Sequence, residues 1–188
     1  MSAGARPRRW HPASVVLHWL TLLLVLFQFW IAGPMRDETR DLLSRFELYQ
    51  RHKSVGLTIA LFVVLRLALR LVVAQPRPFE SNAWLRAAAG AVHAGLYLCL
   101  LVLPVTGLLM AAAAPIQIPT LYFGLFSVPH PIGPDQQIYK AMLFWHGQIG
   151  NLLIVLGVAH VAAAAVHMLV WRDGLMSRMG LGRRRARP

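Results

Sequence analysis

Four stretches of this chain are apolar for long enough to cross roughly 30 Å of hydrocarbon. They run from about Ala13 to Ala32, Ser54 to Ala74, Ala87 to Ala114 and Ala141 to Trp171. Lipid offers no water to an unpaired backbone group, so each must be helical. The chain is therefore predicted to be an all-α integral membrane four-helix bundle. Composition agrees: 57% of the 188 residues are hydrophobic and 14% are charged, more apolar surface than a soluble domain of this size can hide. Pro104 should bend the third helix, with Thr106 or a neighbouring helix satisfying the carbonyl it frees. Arg8-Arg9 precedes the first stretch as in a signal peptide. Its apolar run is too long and no clean small-x-small cleavage site follows, so it reads as a retained span.

The net charge of +12 could suggest nucleic acid, but the cations are placed otherwise. Arg6, Arg8 and Arg9 stand before the first span, and Arg183, Arg184, Arg185 and Arg187 close the chain. These are anchors for an anionic lipid surface. No basic helix interleaved with base-stacking aromatics is present, so no nucleic-acid partner is expected. Of the 19 Lys and Arg, only Arg36, Arg40, Arg45, Arg51, Lys53 and Lys140 fall in the first and third connections. Asp37, Glu38, Asp41 and Glu47 largely offset the first five. The positive-inside rule then places both termini in the cytoplasm. Residues 1–180 read as one transmembrane domain and 181–188 as an Arg-rich cytoplasmic tail. The connection from Arg36 to Gln50 could hold a short polar helix. The one from Pro115 to about Lys140, broken by Pro and aromatics, should lie over the outer mouth of the bundle.

Ionisable side chains inside a membrane are costly and point to function. His146 opens the fourth span and His160 follows 14 residues later. On a helix that is roughly 21 Å of rise and within about 40° of four whole turns. One helix so presents two imidazoles at two depths. His52 begins span two at the depth of His146, near the outer surface, and the two could clamp one haem. His18 and His93 begin spans one and three near the inner surface, where His160 and His167 also lie. Depth alone would pair His18 with His167. Span four overhangs the core, however, and a pairing through His167 would part the ligands of the two haems by about 31 Å. His160 makes the tighter relay. Cys99 is the single cysteine and no Cys-x-x-Cys-His occurs, so the haems would be non-covalent, b-type groups. The same count excludes an intramolecular disulfide and four-cysteine zinc or iron–sulfur sites. His11 and His130 lie outside the spans and read as surface residues.

Neighbouring residues support this reading. Gly56 lies one turn after His52, and Gly150 one turn after His146. A missing side chain there lets a porphyrin lie against the helix. Gly107 and Gly157 read as helix-packing glycines. Arg66 and Arg70 share a face of span two and suit the propionates of the inner haem. His93 and His167 are candidate quinone or propionate contacts.

The order and spacing of several short marks resemble the bacterial cytochrome b561 family of four-helix dihaem membrane proteins. The marks are Leu17-His18-Trp19, His52 with Gly56, and the run from Val64 to Leu71 containing Arg66 and Arg70. Then come His93, Leu103-Pro104-Val105-Thr106-Gly107-Leu108, Trp145-His146, and His160 with His167. The resemblance covers roughly Trp10 to Met179. It implies that His18 and His160 bind the inner haem iron, and His52 and His146 the outer. It also implies a multi-pass protein of the bacterial inner membrane that exchanges single electrons with the quinone pool. Some members oxidise superoxide and reduce ubiquinone. An outward haem ringed by Arg51, Lys53 and Lys140 would draw in that small anion. The rival expectation is an anchor subunit passing electrons between a dehydrogenase or hydrogenase partner and quinone.

Overall fold

The structure, a computed structural model, describes residues 9–76 and 82–180. Arg6, Arg8 and the Arg183–Arg187 cluster singled out above lie outside the described residues, as does the proposed tail. Four long helices carry the fold: α1 (Pro12–Ala32), α2 (Leu42–Val72), α3 (Ala83–Ala113) and α4 (Gln136–Ala165). The last continues through one π-helical turn, Val166–Trp171. Each is long and apolar enough to cross a membrane.

A polar side chain caps the start of each long helix. The His11 ring accepts from Ala13 N, the Asp41 carboxylate from Ser44 N, the Asn82 amide oxygen from Trp84 N, and the Asp135 carboxylate from Gln137 N and Ile138 N. Each bond satisfies an amide that the helix itself cannot. The Asp37 and Asp41 carboxyls are held below their usual range, chiefly by hydrogen bonds from Thr39 and Ser44. The polar stretch expected to form a separate short helix instead supplies the first turns of α2. Asp41 caps it, and no Pro or Gly between Leu42 and Val55 interrupts it.

The connection from α3 to α4 holds a two-stranded antiparallel hairpin, a feature the sequence reading missed. β1 (Thr120–Tyr122) pairs with β2 (Phe126–Val128), Thr120 opposite Val128 and Tyr122 opposite Phe126. Phe123 and Gly124 turn it through positive φ values of 48° and 75°. Three α2 side chains four residues apart bind it. Gln50 donates to Pro119 O (2.8 Å) and accepts from Leu121 N (3.0 Å). Ser54 Oγ accepts from Phe123 N (2.9 Å), and Thr58 meets the Tyr122 hydroxyl (3.1 Å). The hairpin packs on α2. His130, read from sequence as an ordinary surface residue, bonds Thr120 and Gln117 and so braces it. Burial, and then the nearby Lys53 charge, lower the His130 pKa.

At the opposite end the segment after α4 folds back. The Trp19 indole donates to Met179 O at 3.1 Å. The packed core is narrow: Val55, Ile59 and Val63 of α2 against Leu24, Val25 and Phe27 of α1 and Tyr97, Leu100 and Leu101 of α3. Helix α1 packs on α2, α2 on α3 and, most broadly, α3 on α4. Among the helices α4 has broad contact with α3 alone. That leaves a slot between α4 and the α1–α2 pair, and the histidines stand in it. Pro104 lies inside α3. The Thr106 hydroxyl bonds Val102 O and Leu103 O, whereas the carbonyl that proline frees is that of Leu100.

Candidate functional site

Toward the hairpin end, His52 of α2 faces His146 of α4 across the slot, ring centroids 6.1 Å apart. Toward the other end, His18 of α1 faces His160 of α4 at the same 6.1 Å. A metal–imidazole bond of about 2 Å on each side puts the centroids of two rings sharing one iron roughly 6 Å apart. Both pairs therefore have the spacing of bis-imidazole clamps. His93 approaches His160 to 5.1 Å, too close for an iron between them, and stands beside the second pair. His167, the other inner candidate, is buried. Its Nδ1 meets the Asp173 carboxylate at 2.5 Å and its ring lies edge-on to Trp171.

The first pair opens into a cavity of about 1150 Å³ lined by Gln28, His52, Gly56, Gly107, His146 and Gly150 among mostly apolar neighbours. Its wall is incomplete. His52 Nδ1 and Gln28 Oε1 are buried without hydrogen-bond partners, although the Gln28 amide donates to His52 O at 2.9 Å. Buried polar atoms are rarely left so. A Cβ on Gly150 would meet nothing within 4 Å, and one on Gly56 would touch only Gln28 Nε2 at 3.3 Å. Both helices therefore leave room for a flat group at these glycines. Gly107 does more than pack helices, because a Cβ there would press on the His146 ring at 3.3 Å.

The hydrogen bonds favour one His146 tautomer. Thr106 Oγ1 has one proton and two backbone carbonyls in reach, those of Val102 and Leu103 (3.1 and 2.9 Å). With that proton on a carbonyl, the hydroxyl accepts from His146 Nδ1, 3.0 Å away. Nδ1 then carries the hydrogen and Nε2 keeps the lone pair a metal needs. At the second pair an Arg66 guanidinium nitrogen lies 3.2 Å from His18 Nδ1, and the same group sits over the Tyr97 ring. A guanidinium only donates, so in this arrangement His18 Nδ1 accepts.

The chain belongs to the prokaryotic cytochrome b561 family. The family's sequence pattern matches residues 9–182. Cytochrome b561 homolog 2 of Escherichia coli (strain K12) is 29% identical over an alignment covering 95% of each chain. Cytochrome b561 homolog 1 of the same organism is 26% identical over 91% of this chain and 96% of that protein. As a cytochrome b561 this is a multi-pass bacterial membrane protein that binds b-type haem and transfers electrons. The two imidazole pairs, the glycine wall and the unpaired polar atoms fit that group.

Of the predicted collar in this cytochrome b561, only Lys53 lines the cavity. Arg51 is exposed and paired with Glu47 at 3.2 Å, and Lys140 is exposed outside the lining. Arg36 and Arg45 line it instead. In the sequence they stand as connection charges balanced by nearby acids. Their position depends on how Pro34–Arg36 and the first turns of α2 fold over the cavity, which no local pattern reveals. Gln28, bonded to the His52 carbonyl, and Thr106, beside the His146 ring, also escape a reading of the sequence. A polar residue at the depth of a histidine was the available signal.

Proposed function

We propose that this cytochrome b561 holds two b haems in series, one clamped by His52 and His146 and the other by His18 and His160. The observation that carries the reading is the pair of matched 6.1 Å imidazole separations, both reaching α4. Their α4 members are 14 residues, roughly 21 Å, apart. When bound, the haems supply one-electron exchange. The protein would hold each iron between two imidazoles and set the distance between the centres. Ligation through His18 Nε2 requires the hydrogen on Nδ1, so Arg66 would then turn from the ring to a haem propionate, with Arg70 on the same face. His93 and His167 are left for quinone or propionate contact at that end, where the His167–Asp173 pair could pass a proton.

The reaction we favour joins superoxide to ubiquinone. Two superoxide anions each lose one electron and leave as oxygen, while one quinone gains two electrons and two protons. Both termini would lie in the cytoplasm of a bacterium whose inner membrane carries the protein, with the hairpin end outward. The test is a reduced-minus-oxidised spectrum with haem quantitation on purified protein, followed by rapid mixing with superoxide. Two haems per chain, both reduced by superoxide and reoxidised by ubiquinone, are expected. A single haem defeats the ligand assignment. Reduction only through a copurifying dehydrogenase or hydrogenase points instead to an anchor subunit.

A further inference from the structure

The hairpin-end cavity has three cationic side chains in its lining, Arg36, Arg45 and Lys53, and no Asp or Glu. Everything else in it is apolar or neutral apart from the histidines. Arg45 sits in the first turns of α2, two turns before His52, and among the described residues its Nε is buried with no hydrogen-bond partner. The acids near it in sequence are engaged elsewhere: Asp37 by Thr39 and by Arg40 at 3.6 Å, and Asp41 by Ser44 N at the helix start. Arg36 ends the short 3-10 turn Pro34–Arg36 and is steadied by one bond, Nε to Ala32 O at 2.9 Å, leaving its terminal nitrogens free to donate. A buried guanidinium donor without an acceptor is costly, and an arginine fork matches a carboxylate in geometry and charge.

We propose that Arg36 and Arg45 form a clamp for the two carboxylates of the planar group lying between His52 and His146. This rests on the reading that the cavity holds a haem, and it deepens that reading by orienting the group. The propionate edge faces the α1–α2 connection, and the rest of the ring lies along the Gly56 and Gly150 walls. Two carboxylates against three cations leave one positive charge, that of Lys53, at the rim. The shared chemistry is carboxylate or small oxyanion recognition, and a free anion such as superoxide is the competing source.

The experiment uses the full-length holoprotein in detergent. Resonance Raman scattering reports hydrogen bonding to haem propionates, and transfer to apomyoglobin reports haem loss. Arg45→Gln should shift the propionate band of one haem and speed loss of that haem by about tenfold. Arg36→Gln should act in the same direction. Arg45→Lys, keeping the charge, should recover part of the retention, and Arg172→Gln at the other end should change neither reading. An unchanged propionate band in Arg45→Gln with full haem content, together with slower reduction by superoxide, would overturn the clamp in favour of free-anion binding. Failure of the underlying reading looks different: His52→Ala would then keep both haems, and the clamp would fall with it.

Discussion

At the residue scale, what a histidine can do here is decided by the atom on its far side. Thr106 Oγ1 lies 3.0 Å from His146 Nδ1, and as an acceptor there it would leave Nε2 for iron in the proposed clamp. Such outer partners raise ligand basicity, and losing one typically costs 10–100-fold in metal affinity. Thr106→Val keeps the shape and removes the acceptor. It should loosen one haem about tenfold and raise its midpoint potential, because a weaker donor stabilises ferric iron less. Thr106→Ser should restore both, and a titration with the wild-type potential in Thr106→Val would refute the role. His160 and His167 form the second residue-scale test. His160 meets His18 while His167 is held by Asp173, so His160→Ala should lose one haem and His167→Ala should keep both. Pyridine haemochrome analysis of the two variants decides; reversed phenotypes would return the ligand role to His167.

At the element scale, the hairpin depends on α2 rather than on its own two short strands. A two-stranded hairpin alone is marginal in water. Here Gln50, Ser54 and Thr58 are spaced one turn apart, and each reaches one of its backbone or side-chain groups. Ser54 is 1% exposed. Ser54→Ala should leave the Phe123 amide without an acceptor and cost about 1–3 kcal/mol locally. Hydrogen exchange should show the loss as faster exchange at Phe123, while the α3–α4 contact stays protected. Unchanged protection there would mean that strand pairing alone holds the hairpin.

For the whole molecule, the open slot between α4 and the α1–α2 pair and the charge at one end act together. Small anions are steered by cations at the mouth of a low-dielectric cavity, and salt weakens that steering as the screening length falls from about 10 Å at 0.1 M to about 3 Å at 1 M. Haem reduction by superoxide should therefore be fast, slow with ionic strength, and slow further in Lys53→Glu. Stopped-flow absorbance measures it. A haem-replete protein that superoxide does not reduce would remove this substrate from consideration. Stoichiometry belongs to the same scale. His52→Ala or His146→Ala should remove the hairpin-end haem and leave much of the other, and a pyridine haemochrome value of one haem per wild-type chain would contradict the arrangement.

The four helices and the family were legible in the chain itself, because lipid forces long apolar runs to be helical and the spacing of His146 and His160 sets two depths on one face. The same covalent fact made any haem non-covalent, since Cys99 stands alone. Membership of the family followed from short marks in order, from Leu17-His18-Trp19 to His167. Other features depended on contacts between residues far apart in sequence. Sequence supplies only depth along each helix and favours His160 over His167 by the shorter gap between centres; that His160 stands across the slot from His18 is a matter of how the helices are arranged laterally. Thr106 and Gly107 came beside the His146 ring only once α3 lay against α4. The replacement of Arg51 and Lys140 by Arg36 and Arg45 around the cavity has the same cause. Periodicity tells which face of a helix a charge occupies, but only the packed bundle decides what that face encloses.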